Sequence, residues 1–377
     1  MKDIIIENGI IFRPDNKFHT GTITISNGRI INGIAQVSDS TEKINAEGFY
    51  VIPGLTDIHF HGCMGHDFCE GTGEALSAIA QYEAENGITT ICPATMTLPE
   101  DELIRIMRAA KSFSQKNKSL IGINLEGPFI SSARKGAQNP AYIIRPDAEL
   151  LRRLQNESEG LIRIATVAPE VEGAMTFIRE AKSIARISVA HSACDYDTAK
   201  LAFAEGARHV THLFNAMNHI NHRQPGPVIA ALEDNRVMVE LICDGIHVHP
   251  AVVRSTVKAF GDDRVIFISD SLEATGMPDG EYTLGGQRVI KYGRKATLED
   301  GVTLAGSVTN LMECMRLAVK EMGVELETAV KCSAVNPVRA LGLEGEYGSI
   351  EEGRRANVVV LDGDLRVMRV IREELLR

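Results

Sequence analysis

The residues best suited to chemistry begin with two histidines, His59 and His61, at the end of an apolar, β-prone run over residues 51–60. Side chains along a strand alternate between its faces, so residues two apart point to the same side. The pattern predicts two imidazoles together at the end of a buried strand, where they could share one cation. Alternatively, one histidine satisfies a core hydrogen bond and the other is coincidental, so the metal hypothesis needs more ligands downstream.

Four later apolar runs end in further candidate ligands, namely Glu126, His191, His212 and Asp270. Imidazoles and carboxylates together suit Zn²⁺, Fe²⁺, Co²⁺ or Mn²⁺, and the general affinity order of these metals prevents a choice from sequence. Such a site with an open position lowers the pKa of water to roughly 7 in favourable zinc sites, which predicts a hydrolase. As structural alternatives, Glu126 could form a buried salt bridge and Asp270 an Asx turn, while the histidines could bond backbone carbonyls.

The elements that must position these residues alternate between short strands and helices. After the opening run we predict strands over residues 88–94, 120–126, 162–167, 187–191, 209–214, 237–242 and 265–269. The helices between them are predicted over residues 74–85, 100–116, 147–156, 173–185, 197–205, 228–233 and 250–260. Eight strands favour an α/β fold closed as a (β/α)8 barrel over a doubly wound sheet. Together with the candidate metal ligands, this predicts a TIM-like metal-dependent hydrolase barrel. The candidate ligands then fall at the C-terminal ends of the strands, where such barrels keep their active sites.

The two ends of the chain have a different, β-rich pattern. Hairpin signals occur at Asn27-Gly28 and Asn32-Gly33, and strand-like runs return at residues 356–361 and 367–371. We predict a small β-sandwich domain formed by the N- and C-terminal segments.

The predicted domain boundaries follow from these patterns. The small β domain comprises residues 1–50 and 346–377, and the barrel comprises residues 51–345. A Gly-rich, polar stretch over residues 280–301 is predicted to be a β-hairpin or flap inserted after the eighth strand. Two further helices are predicted after it, over residues 309–322 and 326–334.

Composition narrows the class of function. The 377 residues are 44% hydrophobic and 24% charged, as in a soluble globular protein, and the net charge is -10. This charge argues against nucleic-acid or anionic-membrane binding, whereas a small anionic substrate stays possible. Neither a signal peptide nor a run of 18 apolar residues is evident, which predicts a cytoplasmic protein. The sequence also has no dinucleotide or phosphate-loop motif to support a nucleotide cofactor.

The cysteines are odd in number and scattered, which predicts seven reduced thiols, most of them core residues. Cys63 lies so close to the histidine pair that a ligand role stays open as an alternative.

Several motifs carry a resemblance to a known family. Residues 53–61, Ser269-Asp270 and the closing Gly-x-Ile-x-x-Gly-x-x-Ala-Asn motif at residues 348–357 resemble the amidohydrolase superfamily. Five segments are similar to the N-acetylglucosamine-6-phosphate deacetylases within it: Asn-Leu-Glu-Gly-Pro-Phe at 124–129, Lys-Gly-Ala at 135–137, Thr-His-Leu-Phe-Asn-Ala-Met at 211–217, Arg-x-Pro-Gly at 223–226 and Asp-Gly-Ile-His at 244–247. The resemblance runs nearly end to end.

The resemblance implies a metal-ligand set. Glu126, His191 and His212 would hold the metal found throughout the family, and His59 and His61 would hold a second metal found in some members. The implied cofactor is therefore one or two divalent metals per subunit, Zn²⁺ or Fe²⁺ first, with Co²⁺ or Mn²⁺ as alternatives.

The resemblance also implies the catalytic groups. Asp270 would be the general base and acid, taking a proton from the attacking water and delivering it to the departing amine. His247 would polarise the acetyl carbonyl and stabilise the tetrahedral oxyanion.

A third implication concerns the amino sugar phosphate substrate and the partner subunit. Arg223 would reach into the neighbouring active site of a homodimer, where a guanidinium suits a phosphate. The substrate-binding positions implied are Ala137, Gln138, Asn215, Ala216, Arg223, Asp244, Gly245, Ile246, His247, Leu304, Ala305 and Gly306.

The implied reaction is hydrolysis of a linear amide, the acetamide of N-acetylglucosamine 6-phosphate. Gln138 stands where some members have histidine, which leaves the galacto epimer open as an alternative. A cyclic-amide hydrolase is disfavoured because residues 165–169 lack the lysine that would bridge two metals. A non-catalytic scaffold is disfavoured because the expected ligands all remain. Two other departures from the family pattern are residues 271–276 and Asn357, which replaces aspartate.

The remaining histidines and one lysine have plainer interpretations. His249 precedes Pro250 and is predicted to begin a helix, while His66 and His209 are predicted to be structural. Lys135 could equally be directed at a phosphate or be merely exposed.

Overall fold

The computed structural model describes residues 3–31 and 41–373. The predicted turn at Asn32-Gly33 lies outside the described residues. The strands in chain order are β1 (Ile4–Phe12), β2 (Phe18–Ser26), β3 (Arg29–Ile31), β4 (Glu42–Asn45), β5 (Tyr50–Pro53), β6 (Leu55–Asp57), β7 (Gly62–Cys63), β8 (His66–Asp67), β9 (Ile88–Ile91), β10 (Ile123–Leu125), β11 (Ile162–Val167), β12 (Arg186–Val189), β13 (His209–Val210), β14 (Met238–Ile242), β15 (Val265–Ile268), β16 (Gly280–Leu284), β17 (Gln287–Tyr292), β18 (Lys295–Leu298), β19 (Val358–Leu361) and β20 (Val367–Ile371). The α-helices are α1 (Gly73–Glu85), α2 (Glu100–Ser114), α3 (Ala148–Glu157), α4 (Ala174–Ala181), α5 (Tyr196–Glu205), α6 (Gly226–Glu233), α7 (Pro250–Phe260), α8 (Leu311–Lys320), α9 (Leu326–Val330) and α10 (Asn336–Ala340).

Eight parallel strands form the central barrel that the sequence predicts. Strands β10 to β15 are hydrogen-bonded in chain order, and β6 pairs with β9. Two backbone hydrogen bonds join these groups into a ring: Ile121 N–H donates to Ile91 O at 3.0 Å, and Asp270 N–H donates to His59 O at 2.9 Å. Because every strand runs the same way, the residues that follow their C-terminal ends meet at one face of the barrel.

Polar side chains begin several helices that surround the barrel. Thr72, Asp147 and Asp195 each accept a hydrogen bond from a backbone N–H in the first turn, at α1, α3 and α5 respectively. His249 does the same for α7, with Nδ1 accepting from Ala251 N–H at 3.2 Å, as predicted. Among the described residues, we find no helix with both the length and the apolarity that crossing a membrane requires.

The apolar run before the histidine pair is two strands, and the prediction of one strand is wrong. Residues up to Pro53 belong to β5 in a second sheet, whereas β6 begins at Leu55 in the barrel. The chain changes sheet at Gly54, where an added Cβ would lie 2.1 Å from Thr89 Oγ1. Only glycine allows this close approach, which passes the chain directly from one sheet to the other.

Strands from both ends of the chain form one mixed sheet beside the barrel. Its order is β20-β19-β5-β1-β2-β3, with β4 also paired to β1. Isoleucine and valine side chains fill a separate core there, including Ile6, Ile25 and Val358. The predicted division of the chain into two domains stays a prediction.

The Gly-rich insertion after the eighth strand is larger than the predicted hairpin. It forms a three-stranded antiparallel sheet in the order β16-β17-β18. The last predicted helix is also longer than expected: α9 continues through a π-helical turn, Lys331–Val335, into α10.

Candidate active site

The carboxylate of Glu126 lies at the centre of a buried cluster of imidazoles. Its Oε1 is 3.0 Å from Nε2 of both His191 and His212, and these two nitrogens are 3.1 Å apart. Each residue follows a different barrel strand, so the parallel ring brings together three positions that are far apart in sequence.

The histidine pair and Asp270 complete the cluster. Nε2 of His59 is 3.4 Å from Glu126 Oε1, and Nε2 of His61 is 3.3 Å from Glu126 Oε2. Asp270 Oδ1 is 3.7 Å from His59 Nε2 and 3.4 Å from His61 Nε2. Two sets of three buried residues could each hold a metal ion: His59, His61 and Asp270, and His59, Glu126 and His212. Within each set, one ligand atom from every residue lies within 4.8 Å of the others.

The hydrogen bonds behind the rings decide which nitrogens face the cluster. His59 Nδ1 is 2.8 Å from Glu240 Oε2, and His191 Nδ1 is 2.9 Å from the carbonyl oxygen of Arg134. Both partners only accept, so in each ring the Nδ1–H donates, and in the neutral form of the ring Nε2 presents a lone pair. These lone pairs then face the Glu126 carboxylate, an arrangement that a cation between them stabilises.

The buried carboxylates of the cluster also favour positive charge beside them. Burial disfavours the charged forms, yet Glu240 and Glu126 hold the pKa of His59 well above its ordinary value. Against the same penalty, Asp270 and Glu126 raise the pKa of His61 to about 10. The imidazoles in turn keep the pKa of Glu126 well below its ordinary value, although burial alone would raise it. The donor set therefore fits a divalent metal bound by histidine and carboxylate.

The backbone at three of these positions is strained. His191, His212 and Asp270 have φ angles of 42°, 29° and 51°. Residues other than glycine rarely adopt this left-handed region, and such strain concentrates at functional sites.

The predicted oxyanion-stabilising residue, His247, is held by its own loop. His247 Nδ1 is 2.7 Å from Asp244 Oδ2, and Asp244 Oδ1 accepts the backbone N–H groups of Ile246 and His247, each at 2.9 Å. Burial disfavours the imidazolium, but Asp244 and then Asp270 raise the pKa of His247 above its ordinary value. The arrangement gives the ring one orientation.

A cavity of about 270 Å³ opens over the cluster. It is lined by His61, Met96, Glu126, Gly136, Ala137, Gln138, His191, His212, Asn215, Ala216, His247, Asp270, Leu284, Thr303, Leu304 and Gly306. Ala305 and Ile246 lie next to lining residues in sequence, and Asp244 and Gly245 lie within three residues of His247, but none of the four lines the cavity. Most of the predicted substrate-binding positions therefore share one cavity with the predicted metal ligands.

Comparison with known proteins identifies the family. The sequence profile of the amidohydrolase family matches residues 50–374. The chain belongs to the amidohydrolase family. This amidohydrolase is 33% identical over 380 residues to N-acetylglucosamine-6-phosphate deacetylase from Bacillus subtilis, with 98% of this chain and 96% of that protein covered. It is 34% identical over 348 residues to N-acetylgalactosamine-6-phosphate deacetylase from Escherichia coli O157:H7, with 90% of each chain covered.

Solved structures agree with the sequence relatives. A mutant of N-acetyl-D-glucosamine-6-phosphate deacetylase from Mycobacterium smegmatis, in complex with N-acetyl-D-glucosamine-6-phosphate, matches with a TM-score of 0.92 and 32% identity, covering 99% of this chain and 98% of that chain. The amidohydrolase is thus one of the amino sugar 6-phosphate deacetylases. The two sequence relatives are named for different epimers at nearly equal identity, so the comparison does not choose between the sugars.

Arg223 is placed apart from the cavity of the amidohydrolase. It lines a separate surface cavity with Asn218, His219 and Gln224. Within this chain, therefore, Arg223 is not brought together with the metal-ligand cluster.

Gln138 lies in the active-site cavity, but protein groups already bind both ends of its amide. Nε2 donates to Glu126 Oε2 at 2.9 Å, and Oε1 accepts Thr97 N–H at 2.7 Å. In this amidohydrolase, Gln138 thus orients the central carboxylate.

Sequence reasoning missed the residue behind His59. Glu240 is fully buried in β14, where it binds His59 and also His209, whose Nε2 is 2.9 Å from Glu240 Oε1. Four residues lining the cavity were also missed, namely Met96, Gly136, Leu284 and Thr303. Glu240 left a signal that could have been used, because it is a lone carboxylate inside an otherwise apolar strand.

Proposed function

We propose that this amidohydrolase removes acetate from N-acetyl-D-glucosamine 6-phosphate and yields D-glucosamine 6-phosphate. The observation that carries the proposal is the convergence of Glu126, His191, His212 and Asp270 beneath one cavity at the C-terminal face of the barrel. Deacetylases of amino sugar phosphates are its relatives, and one of the similar structures is named for its complex with this substrate.

The cofactor in this proposal is one or two divalent metals per subunit. Glu126, His191 and His212 hold one ion, and His59 and His61 provide ligands for a second. Zn²⁺ or Fe²⁺ is proposed first, with Co²⁺ or Mn²⁺ as alternatives. A metal of this kind supplies Lewis acidity, which activates water and polarises a carbonyl oxygen.

The protein's own groups move the protons. Asp270 accepts a proton from the attacking water and passes it to the departing amine. His247, with its ring fixed by Asp244, donates a hydrogen bond to the acetyl oxygen as negative charge develops there. Neighbouring His61 and His59 keep the pKa of Asp270 below its ordinary value against the effect of burial, so its carboxylate can accept the proton at neutral pH.

The binding part of the proposal uses the rest of the cavity. Ala137, Asn215, Ala216 and the Leu304–Gly306 turn contact the sugar phosphate. Arg223 lies outside this chain's own cavity, and we propose that it serves the neighbouring site of a cytoplasmic homodimer. The division of each subunit into a barrel and a small β domain belongs to the same proposal.

The galacto epimer is the second candidate substrate. The observation in its favour is the 34% identity to N-acetylgalactosamine-6-phosphate deacetylase over 90% of the chain. Gln138 stands where some members of the family have histidine. Because Glu126 and Thr97 already bind its amide, we expect it to affect the choice of epimer through the position of Glu126.

The test is acetate release by protein loaded with Zn²⁺ or Fe²⁺. N-acetylglucosamine 6-phosphate, its galacto epimer and unphosphorylated N-acetylglucosamine are compared by kcat/KM. Preference for the first confirms the proposal, and preference for the second keeps the reaction and changes the substrate. Acetate release from none of the three by metal-loaded protein contradicts the proposed function.

A matched pair of variants tests the ligand set in the same preparation. His191→Asn is expected to lose bound metal, measured by elemental analysis, together with activity. His66→Asn changes a partly exposed histidine that pairs with Glu70 and should lose neither. Full metal content in His191→Asn would contradict its assignment as a ligand.

A further inference from the structure

A further cavity, of about 420 Å³, lies at the other end of the barrel from the active site. Its walls include the residues that begin β11, β12 and the segment before β13, together with the turn after α10. These are the N-terminal ends of the strands, whereas the metal-ligand cluster follows the C-terminal ends. We call this space the basic cavity, because its lining includes five cationic residues, Arg163, Lys182, Arg186, Arg208 and Arg339.

The positive charge of the basic cavity is largely uncompensated. None of its lining residues is an aspartate or a glutamate. Among the described residues, Arg339 is the only one of the five cations that forms an ion pair, with Asp263 Oδ1 at 3.4 Å. The other four have no carboxylate partner within ion-pair distance in the part of the chain that the structure describes. This excess is local, because the chain as a whole has a net charge of -10.

Backbone carbonyls hold several of the cationic groups in place without neutralising them. Arg186 Nη2 donates to the carbonyl oxygen of Arg208 at 2.8 Å, and Arg208 Nη1 donates to that of Ala207 at 2.7 Å. Lys182 Nζ donates to the carbonyl oxygen of Glu205 at 3.1 Å. Because carbonyls satisfy N–H groups but carry no net charge, the cavity keeps its positive potential and its geometry is formed in advance.

The cations also repel one another. Burial, followed by the charges of Arg208 and Arg339, lowers the pKa of Arg186 to about 10. A bound anion would offset this repulsion, since it supplies the missing countercharge beside the cationic groups.

We propose that the basic cavity binds a phosphate-type oxyanion, either free phosphate or the phosphoryl group of a small metabolite. Arginine suits this class of ligand because its planar guanidinium donates two parallel hydrogen bonds to a tetrahedral oxyanion. The space is large enough for a phosphorylated sugar as well as for phosphate alone. This site is separate from the proposed substrate site and does not depend on the proposed reaction.

The test compares three metal-loaded, full-length proteins by titration calorimetry. They are the wild type, the cavity variant Arg163→Gln/Lys182→Gln, and the control variant Lys116→Gln/Lys258→Gln. The control removes the same charge from exposed positions outside the basic cavity. Inorganic phosphate and glucose 6-phosphate are titrated separately, with chloride at equal ionic strength as the reference, because charge screening alone would affect all three proteins alike.

We expect the cavity variant to bind at least one of the two ligands with a roughly tenfold larger dissociation constant than the wild type. The control variant should bind both ligands like the wild type. The ligand that the wild type binds with the smaller dissociation constant, free phosphate or glucose 6-phosphate, is the better ligand of the site. Any phosphate bound at the active site contributes equally in all three proteins and cancels in the comparison. Equal affinities in the wild type and the cavity variant for both ligands would overturn the proposal.

A structural measurement keeps the proposal testable even if the cavity variant folds poorly. Crystals of the wild-type enzyme soaked in tungstate should show anomalous density among Arg163, Arg186 and Arg208. Tungstate bound only at other positions would count against the site. Tungstate in the basic cavity together with equal phosphate affinities of the wild type and the cavity variant in solution would mean an adventitious ion only, and would also count against it.

Discussion

At the C-terminal ends of the barrel strands, buried imidazoles and carboxylates face one another, whereas at the N-terminal ends four cations lack a carboxylate among the described residues. The first cluster has electron-pair donors that suit a cation, and the second has hydrogen-bond donors that suit an anion. The imidazoles of the first cluster are paired with carboxylates, whereas most cations of the second have no such partner among the described residues. Opposite ends of the same strands therefore carry side chains of opposite preference, ligands for a cation at one end and the proposed anion site at the other.

A chain of side-chain contacts runs between the two ends. Arg186 Nε donates to His209 Nδ1 at 3.2 Å, His209 Nε2 is 2.9 Å from Glu240, and Glu240 is 2.8 Å from His59 Nδ1. Because arginine only donates, His209 accepts at Nδ1 and donates at Nε2. Glu240 therefore receives N–H groups from two imidazoles and stands between the two sites.

The largest expected effect is at the C-terminal end. Asp270→Asn should reduce turnover by about 10²–10⁴-fold while bound metal remains, because the change removes proton transfer and keeps the shape of the side chain. Steady-state kinetics and elemental analysis measure the two quantities. Asp101→Asn, on an exposed helix, is the control and should leave both unchanged. Retained turnover in Asp270→Asn would break the assignment of this end as the catalytic one.

The second prediction concerns the residue between the two sites. Glu240→Gln should weaken metal affinity by about 10- to 100-fold, because His59 loses the carboxylate that orients its ring. Metal dissociation constants measured by competition with a chelator test this effect. Glu74→Gln, on the exposed face of α1, serves as the control. Unchanged metal affinity in Glu240→Gln would show that metal binding does not depend on this carboxylate.

A third prediction sharpens the comparison by using a buried carboxylate that no cation accompanies. Glu83 is fully buried on α1, and burial followed by the nearby Asp57 carboxyl raises its pKa well above the ordinary 4.5. The folded state therefore keeps a proton that the unfolded state releases. The stability of the wild type is unaffected by this group below pH 4.5 and falls as the pH rises from there towards the folded pKa.

Glu83→Gln removes that loss because an amide does not ionise. We expect the variant to be more stable than the wild type at neutral pH and equally stable below pH 4.5. Chemical denaturation across a pH series measures the difference. A constant difference at every pH would show that packing, and not ionisation, separates the two proteins.

The smallest expected effect is at the predicted subunit contact. Arg223→Ala should raise KM roughly three- to tenfold for the phosphorylated sugar and much less for the unphosphorylated one, because only the former has the oxyanion that a guanidinium binds. Lys116→Ala is the control, since this exposed lysine is outside both cavities. Equal changes in KM for both sugars would remove Arg223 from phosphate binding.

Much of the active-site end could be predicted from sequence because its positions obey a local rule. Short apolar strands followed by His59, Glu126, His191 and His212 were enough to predict that these four residues lie together. Parallel strands in a barrel place the residues that follow them at one face. The helix that begins at His249 was predictable for the same reason, because capping depends on adjacent residues.

What only the tertiary structure decided depends on contacts between distant segments. The chain changes sheet at Gly54, where Thr89 leaves no room for a side chain. The periodicity of the sequence does not show that contact. Glu240 finds His59 and His209 through neighbouring strands. Arg163, Arg186 and Arg208 look like ordinary polar residues in sequence, and they form a basic cavity because three separate segments bring their charges to the same end of the barrel.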